Sequence, residues 1–155
     1  MADMLVKLYN LPNSQAVYER LNVTGCMVRR ALAPEKHKIV AWVRQTFSEA
    51  WASEAEVAFC RQPISCFVAI QKNKIVGFAC HDVTCLNFFG PTGTDPAMRK
   101  SGIGTALLFA CLEAMKQQGF GYAIIGGVGP ADFYANTVGA VMIEGSSPGV
   151  YRGLL

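Results

Sequence analysis

The stretch Asp95-Pro-Ala-Met-Arg99-Lys100-Ser101-Gly102-Ile103-Gly104-Thr105 stands between a predicted strand and a predicted apolar helix. Glycines at 102 and 104 carry no Cβ, so the backbone there can approach a ligand closely. The first amides of a helix have no helical partners and face outward, at the positive end of the helix dipole. Arg99 and Lys100 add two full positive charges. The stretch therefore predicts a phosphate-binding turn.

Three ligand classes use turns of this type. A P-loop requires Lys followed by Ser or Thr after its last glycine, but here Gly104 precedes Thr105-Ala106. A dinucleotide fingerprint requires a third glycine where Leu107 stands, and an acidic residue about 20 positions further on. The remaining pattern, Arg-x-x-Gly-x-Gly, matches Arg99 to Gly104 and is that of the pyrophosphate loop of acetyl-CoA-dependent N-acetyltransferases. The alternative is a glycine-containing turn that merely enters a core helix.

Composition limits the function classes further. The chain has 155 residues, 52% of them hydrophobic and 16% charged, which suits one globular domain and excludes a disordered or coiled-coil chain. The net charge of +3 is too small to indicate a nucleic-acid partner.

Cysteine and histidine usage gives no sign of a metal site. Six cysteines contain no Cys-x-x-Cys pair, and the two histidines are isolated in sequence. We interpret the cysteines as small buried apolar residues in a reducing compartment. The first residues lack a basic region followed by an apolar run, and no apolar stretch reaches the ~18 residues of a membrane span. We therefore expect a cytoplasmic protein with no membrane partner.

Hydrophobic periodicity and turn residues predict an α+β fold in a single domain. Helices are predicted over residues 14–21, 34–47, 53–61, 102–118 and 131–138. Strands are predicted over residues 3–9, 25–32, 64–71, 74–81, 84–94, 122–127, 140–144 and 149–154. The start at Ser53 rests on the capping-box pattern Ser53-Glu-Ala-Glu56, with a break between helices just before it.

With these elements around the glycine-rich turn, the chain resembles the GNAT (general N-acetyltransferase) superfamily, most specifically over residues 92–108 and 126–140. The resemblance implies a mixed, mostly antiparallel central sheet with helices on both faces, splayed at the acetyl-CoA site. It implies one acetyltransferase domain over residues 1–155, with a short N-terminal extension of about residues 1–22.

The resemblance also implies roles for particular residues. Backbone amides of Thr92 and Thr94 would pair with the pantetheine arm of acetyl-CoA. Tyr134, in the pair Phe133-Tyr134 ahead of Gly139, would protonate the departing thiolate, unless it is a core tyrosine. The pyrophosphate would be held by Arg99, Lys100, Ser101, Gly102, Ile103, Gly104 and Thr105.

Two departures from the family pattern fall beside Tyr134. Five steps rather than the commoner four separate Tyr134 from Gly139, which suggests an extra residue or a bulge. The asparagine frequent ahead of this helix is replaced by the run 126–129, Gly-Gly-Val-Gly, which suggests an open backbone that a ligand can approach.

The base and the acceptor site are less well marked. Residues 83–94 contain no carboxylate, so the candidate catalytic carboxylate is Asp82, acting through water beside His81. Its alternative is a turn or surface residue. Trp51 and Glu54 are candidates for the acceptor wall, and their alternatives are a core aromatic residue and a solvated helix charge.

The sequence therefore predicts direct transfer of acetyl from acetyl-CoA to an amine of a small molecule or peptide, with no metal. A homodimer is compatible with this interpretation. Two rival functions stay open. One is a non-catalytic acyl-CoA-binding sensor or interaction module. The other is a toxin that acetylates aminoacyl-tRNA, which the modest charge disfavours.

Overall fold

A computed structural model describes all 155 residues and contains five α-helices and seven strands. The helices are α1 Gln15–Val23, α2 Lys36–Thr46, α3 Glu49–Ala58, α4 Ile103–Gln117 and α5 Ala131–Val138. The strands are β1 Met4–Lys7, β2 Cys26–Arg30, β3 Cys66–Gln71, β4 Lys74–His81, β5 Phe88–Thr94, β6 Tyr122–Ile125 and β7 Val141–Met142. Short 3-10 turns cover Leu8–Asn10, Ala33–Glu35, Pro96–Met98 and Gly149–Tyr151.

All seven strands form one sheet in the order β2-β3-β4-β5-β6-β1-β7. Every neighbouring pair is antiparallel except β5 and β6, which run parallel. The predicted α+β class and the mostly antiparallel sheet are confirmed.

Helices pack on both faces of this sheet. On one face, α4 contributes Ile103, Leu107 and Leu112 to a core cluster of 23 buried residues. On the other face, α2 and α3 cover a smaller cluster of 11 residues around Phe78. Burying an aromatic side chain as completely as Phe78 stabilises a fold by about 2–3 kcal/mol. The helices on each face of the sheet thus pack on an apolar core of their own.

The sheet opens between β5 and β6. These strands pair only at Phe88 with Ile124 and at Phe89 with Ile125. Strand β6 then ends, whereas β5 continues to Thr94 with β4 as its only neighbour. The predicted splay is confirmed, and the wedge between the two strands opens toward the N-terminus of α4.

Two predicted boundaries on the α3 side are wrong. Helix α3 begins at Glu49, because the Ser48 hydroxyl caps it by accepting a hydrogen bond from the Trp51 amide at 3.1 Å. Ser53 lies inside the helix and donates its hydroxyl to the Glu49 carbonyl, so neither the predicted start nor the break before it exists. Strand β5 begins at Phe88 rather than at residue 84.

The predicted closing strand over residues 149–154 is also wrong. Residues 149–151 form a single 3-10 turn, and Gly149 has a φ of 56° that no strand residue adopts. The position beside β6 is instead taken by β1, whose Met4 pairs with both Ile125 of β6 and Met142 of β7. The N-terminal segment thus supplies an internal strand of the sheet.

None of the helices combines the length and the apolar content that crossing a membrane requires. All six cysteines are free thiols, and four of them are buried: Cys26, Cys66, Cys80 and Cys111.

Candidate active site

The backbone amides of Thr92 and Thr94 line the open side of β5. The Asp95 amide donates to the Val76 carbonyl of β4 at 2.9 Å. Because amide direction alternates along a strand, Gly93 also faces β4, whereas Thr92 and Thr94 face away from it. Strand β6 has ended at this level, so both amides point into the wedge without a strand partner.

A bulge in β5 produces this orientation. His81 of β4 pairs with Phe89, and Ala79 pairs with Thr92, so β5 has one residue more than β4 between the two pairs. An extra residue reverses which amides face the neighbouring strand. Beyond the bulge, the amides of Thr92 and Thr94 are therefore directed into the wedge instead of toward β4.

The glycine-rich turn continues this row of free donors. The amides of residues 99–105 donate to no backbone or side-chain acceptor in the chain, and the first helical bond of α4 runs from the Ala106 amide to the Gly102 carbonyl. Gly102 has a φ of 87°, in the left-handed region that favours glycine. The Ser101 hydroxyl donates back to the Met98 carbonyl and closes the turn.

Positive charge accompanies these amides. Arg99 and Lys100 are both exposed, and neither belongs to an ion pair of the protein. Partnerless amides at a helix N-terminus with two free cations form a site suited to an anion such as a phosphate.

Tyr134 lies beside the apex of the wedge. Its side chain is buried, and its ring packs edge-on against Phe89, the last β5 residue paired with β6, at 6.2 Å between centroids. Burial alone raises the pKa of the Tyr134 phenol to about 12, so it is neutral at pH 7. Phe133 packs against the same core cluster and is only partly buried, with its ring 5.1 Å from that of Tyr134.

The extra residue after Tyr134 is absorbed at the end of α5 rather than in a bulge. Gly139 adopts a φ of 66° and ends the helix. Its amide donates to the Ala135 carbonyl at 3.0 Å, and the Ala140 amide donates to the Tyr134 carbonyl at 3.3 Å. The Ala140 bond reaches one residue further back than in a Schellman motif, so the extra residue is taken up in a widened left-handed helix terminus.

Asp82 and His81 form a buried pair at the end of β4. The Asp82 carboxylate accepts from the Asn87 amide at 2.6 Å and lies 2.7 Å from Nδ1 of His81. Burial raises the pKa of Asp82, but the hydrogen bonds with His81 and Asn87 outweigh it and leave that pKa below its usual value. Both carboxylate oxygens are occupied, whereas Nε2 of His81 is buried without a partner. Asp82 and His81 are both buried, so neither is in direct contact with solvent.

Trp51 and Glu54 lie on α3, which covers the face of the sheet opposite to α4. Trp51 is half-buried, with its ring 5.2 Å from Phe47 and 6.2 Å from Phe78, so it belongs mainly to an aromatic cluster. Glu54 accepts a hydrogen bond from the Thr84 hydroxyl in the turn between β4 and β5. This bond ties α3 to the turn that leads into β5.

Tyr151, which sequence reasoning missed, completes this face. A Cβ at Gly126, directly after β6, would lie 2.8 Å from the Tyr151 hydroxyl and 2.8 Å from the Phe88 ring. The backbone at 126 and 127 is therefore covered by Tyr151, not open to a ligand as the glycine run suggested. The only local signal in the sequence was the glycines at 126 and 127, which leave room for an aromatic ring. They do not indicate which ring occupies that space.

The surroundings of Tyr151 place it close to Glu54 and Thr84. Burial raises the pKa of the Tyr151 phenol, the Glu54 and Asp3 carboxylates raise it further, and a hydrogen bond with Thr84 lowers it. No group of three or more His, Cys, Asp or Glu side chains is close enough to hold a metal ion.

Comparison with known proteins identifies one matching family model. Residues 36–136 match the model described as the acetyltransferase (GNAT) family. No protein with a curated description is significantly similar in sequence.

Solved structures share the fold. A GCN5-related glucosamine N-acetyltransferase region of a fungal multi-domain GH3 beta-N-acetylglucosaminidase has 16% identity and a TM-score of 0.76, over 92% of this chain and 19% of that one. A GCN5-related N-acetyltransferase from Sphaerobacter thermophilus has 17% identity and a TM-score of 0.64, over 92% and 48%. An aminoglycoside acetyltransferase from an uncultured soil metagenomic sample, in complex with trehalose, has 19% identity and a TM-score of 0.54, over 73% and 87%. The chain thus spans less than half of the first two proteins.

Proposed function

The chain belongs to the GNAT family of acetyltransferases, and we propose on that premise that it transfers an acetyl group from acetyl-CoA to an amine. The observation that carries the proposal is the presence of two neighbouring sets of partnerless amides, those of Thr92 and Thr94 in the wedge and those of residues 99–105 at the N-terminus of α4. Such donors suit a ligand that joins an extended amide-bearing arm to a pyrophosphate.

The binding roles follow from where these donors lie. The amides of Lys100 to Thr105 hold the pyrophosphate, with Arg99 and Lys100 supplying positive charge. The amides of Thr92 and Thr94 pair with the pantetheine arm, and the amide of Thr92 also polarises the thioester carbonyl. Fixed donors of this kind lower the barrier because they need no rearrangement as charge develops on the oxygen.

Tyr134 is the proposed acid. Its pKa of about 12 keeps the phenol protonated at pH 7, and it stands at the apex of the wedge, where the departing sulfur would lie. Thiols of this type have a pKa of about 8.5, so the transfer from the phenol is completed because a proton from water at pH 7 restores the phenolate to phenol. A positioned acid contributes about 10²–10⁴ in rate.

Two carboxylates are candidates for removing the amine proton. Asp82 would act through His81, whose Nε2 has no partner inside the protein. Glu54 would act on the acceptor side of the sheet, where it and Trp51 form part of the proposed acceptor wall. The acceptor is an amine on a small molecule or a peptide, the reaction uses no metal, and the protein works in the cytoplasm.

One observation favours a second candidate, a non-catalytic acyl-CoA-binding module. Asp82 is buried and each of its oxygens accepts an internal hydrogen bond, so the carboxylate predicted as the base makes no direct contact with solvent. In that case the protein would bind acetyl-CoA and release no thiol.

Thiol release separates the two functions. The purified protein is mixed with acetyl-CoA and a panel of amines, and free thiol is followed over time, with acetyl-CoA binding measured in parallel by calorimetry. We expect amine-dependent thiol release. Binding of acetyl-CoA without thiol release for any amine would favour the binding module.

A further inference from the structure

Three separate segments of the chain meet on the α3 face of the sheet, near the start of β5. Glu54 comes from α3, Thr84 from the turn between β4 and β5, and Tyr151 from the C-terminal 3-10 turn. The Thr84 hydroxyl donates to Glu54, and Tyr151 is near enough to both residues for them to shift the pKa of its phenol. The phenol in turn lies over Gly126, whose position is flanked on another side by the Phe88 ring.

The first residues of the chain fix Tyr151 in this position. The Asp3 carboxylate accepts a hydrogen bond from the Gly127 amide at 2.9 Å. The Asp3 amide donates to the Ser146 hydroxyl at 2.7 Å, and its carbonyl accepts from the Ile143 amide at 2.9 Å. Asp3 is itself buried, so it positions the C-terminal segment and is not available to a ligand.

Glu54 carries an uncompensated negative charge. It is only partly buried, and its side chain is bonded to a neutral hydroxyl rather than to a basic group. The ion pairs of the protein involve other carboxylates, in Arg29–Glu35, Arg44–Glu49 and His81–Asp82. A partly buried carboxylate with no cation of its own attracts a cationic ligand and repels an anionic one.

Resting on the proposed function, we propose that Glu54, Thr84 and Tyr151 form the acceptor subsite, and that the acceptor is an amine with no carboxylate beside its nitrogen. An ammonium group would pair with Glu54, with Thr84 and Tyr151 lending oxygen acceptors. A carboxylate next to that nitrogen, as in an α-amino acid, would be brought within a few ångströms of Glu54, and such like-charge contacts cost several kcal/mol.

In the proton balance of the transfer, Glu54 is the general base. Glu54 removes one proton from the ammonium, so that an N–H bond breaks and an O–H bond forms. The freed lone pair makes the C–N bond while the C–S bond breaks. Tyr134 delivers its phenolic proton to the sulfur, and the second proton that leaves the nitrogen passes through water to restore the Tyr134 phenol. Glu54 then releases its proton to solvent. One ammonium and one thioester become one amide, one thiol and one free proton.

Phenethylamine and phenylalanine test the proposal because they differ only by the carboxylate beside the nitrogen. We expect the wild-type protein to acetylate phenethylamine with a kcat/KM at least about tenfold higher than that for phenylalanine. Glu54→Gln should lower the value for phenethylamine at least about tenfold and bring the two amines within about threefold of each other. The KM for acetyl-CoA should not change.

Three further variants keep the test decisive. Thr84→Val removes the hydroxyl at constant volume, and Tyr151→Phe removes only the phenol oxygen. Each should raise the KM for phenethylamine without changing that for acetyl-CoA. Glu56→Gln is the matched control, since Glu56 lies exposed on the same helix with no side-chain partner, and it should match the wild type.

The outcomes distinguish this proposal from the function on which it rests. If no amine yields thiol from a protein that binds acetyl-CoA, the proposed function is wrong and the subsite is wrong with it. If phenethylamine is acetylated but Glu54→Gln keeps the wild-type preference, only the subsite is wrong. The same conclusion follows if the wild type acetylates both amines equally well.

Discussion

Gly102 and Gly104 differ in what a side chain would meet at each position. Gly102 has a positive φ, so any substitution there strains the backbone. At Gly104 the nearest atom to an added Cβ is the Thr94 hydroxyl oxygen, 3.6 Å away, which is an ordinary contact. A substitution at position 104 can therefore test ligand binding without disturbing the fold.

We predict that Gly104→Val stays folded and binds acetyl-CoA at least tenfold more weakly, a loss of about 1.4 kcal/mol, because the side chain occupies space beside the pyrophosphate. Calorimetry measures the affinity, and thermal unfolding checks the fold. A folded variant with wild-type affinity would exclude this turn as the pyrophosphate site.

We predict that Tyr134→Phe lowers turnover by about 10²–10⁴, while acetyl-CoA affinity stays nearly constant. The phenylalanine ring keeps the packing against Phe89, and only the hydroxyl is lost. Thiol release with the best acceptor measures turnover, and calorimetry measures affinity. Turnover within about threefold of the wild type would mean that water, not Tyr134, protonates the sulfur.

The junction between β2 and α2 is held by one carboxylate. Glu35 accepts hydrogen bonds from the Arg29 guanidinium at 2.5 and 3.0 Å and from the Leu32 amide at 2.8 Å. The guanidinium is the main reason that the pKa of Glu35 falls to about 2. Because the pKa is lower in the folded chain, this stabilisation is complete above pH 4.5 and is lost as pH falls toward 2.

We therefore predict that acid destabilises the wild type more than Glu35→Gln. Between pH 6 and pH 3, the free energy of unfolding should fall by about 1 kcal/mol more in the wild type, a value reduced for partial exposure of the pair. Urea unfolding at the two pH values measures the difference. Equal losses in both proteins would show that the Arg29–Glu35 pair does not stabilise the junction.

Sequence reasoning succeeded where a signal is local to one element. The glycines at 102 and 104, Arg99 and the apolar face of α4 lie within a few residues of one another, so the turn and its helix were predictable. At α3, two local signals competed. Ser53 and Glu56 form a capping-box pattern, but the Ser48 hydroxyl caps the helix, because a start there adds a turn that buries Ala52 against the sheet.

The acceptor side could not be predicted in the same way because its residues come from distant segments. Glu54, Thr84 and Tyr151 converge only once the sheet has formed, and no spacing in the sequence relates them.

At the scale of the whole molecule, β1 is an internal strand. Met4 and Val6 are almost completely buried, and the strand pairs with β6 on one side and β7 on the other. Losing buried side chains of this size costs about 2–5 kcal/mol each, whereas a whole domain is stable by about 5–15 kcal/mol.

We predict that removal of residues 1–7 abolishes cooperative thermal unfolding. Removal of the exposed residues 153–155 is the control and should shift the Tm by no more than a few degrees. Circular dichroism on heating records both transitions. A cooperative transition at the wild-type temperature in the variant that lacks residues 1–7 would contradict the structural role of β1.

The position of β1 in the sheet also determines when the sheet can be completed during synthesis. Its partners Ile125 and Met142 follow Met4 by more than a hundred residues. Strand β1 therefore leaves the ribosome well before its partners, and both of its edges stay unpaired until residues 122–142 have emerged. Unpaired edges of this kind invite aggregation, and long-range pairing is slow. Nascent chains ending before residue 122 should consequently depend on chaperones that bind extended apolar segments, a dependence that ends once β6 and β7 are available.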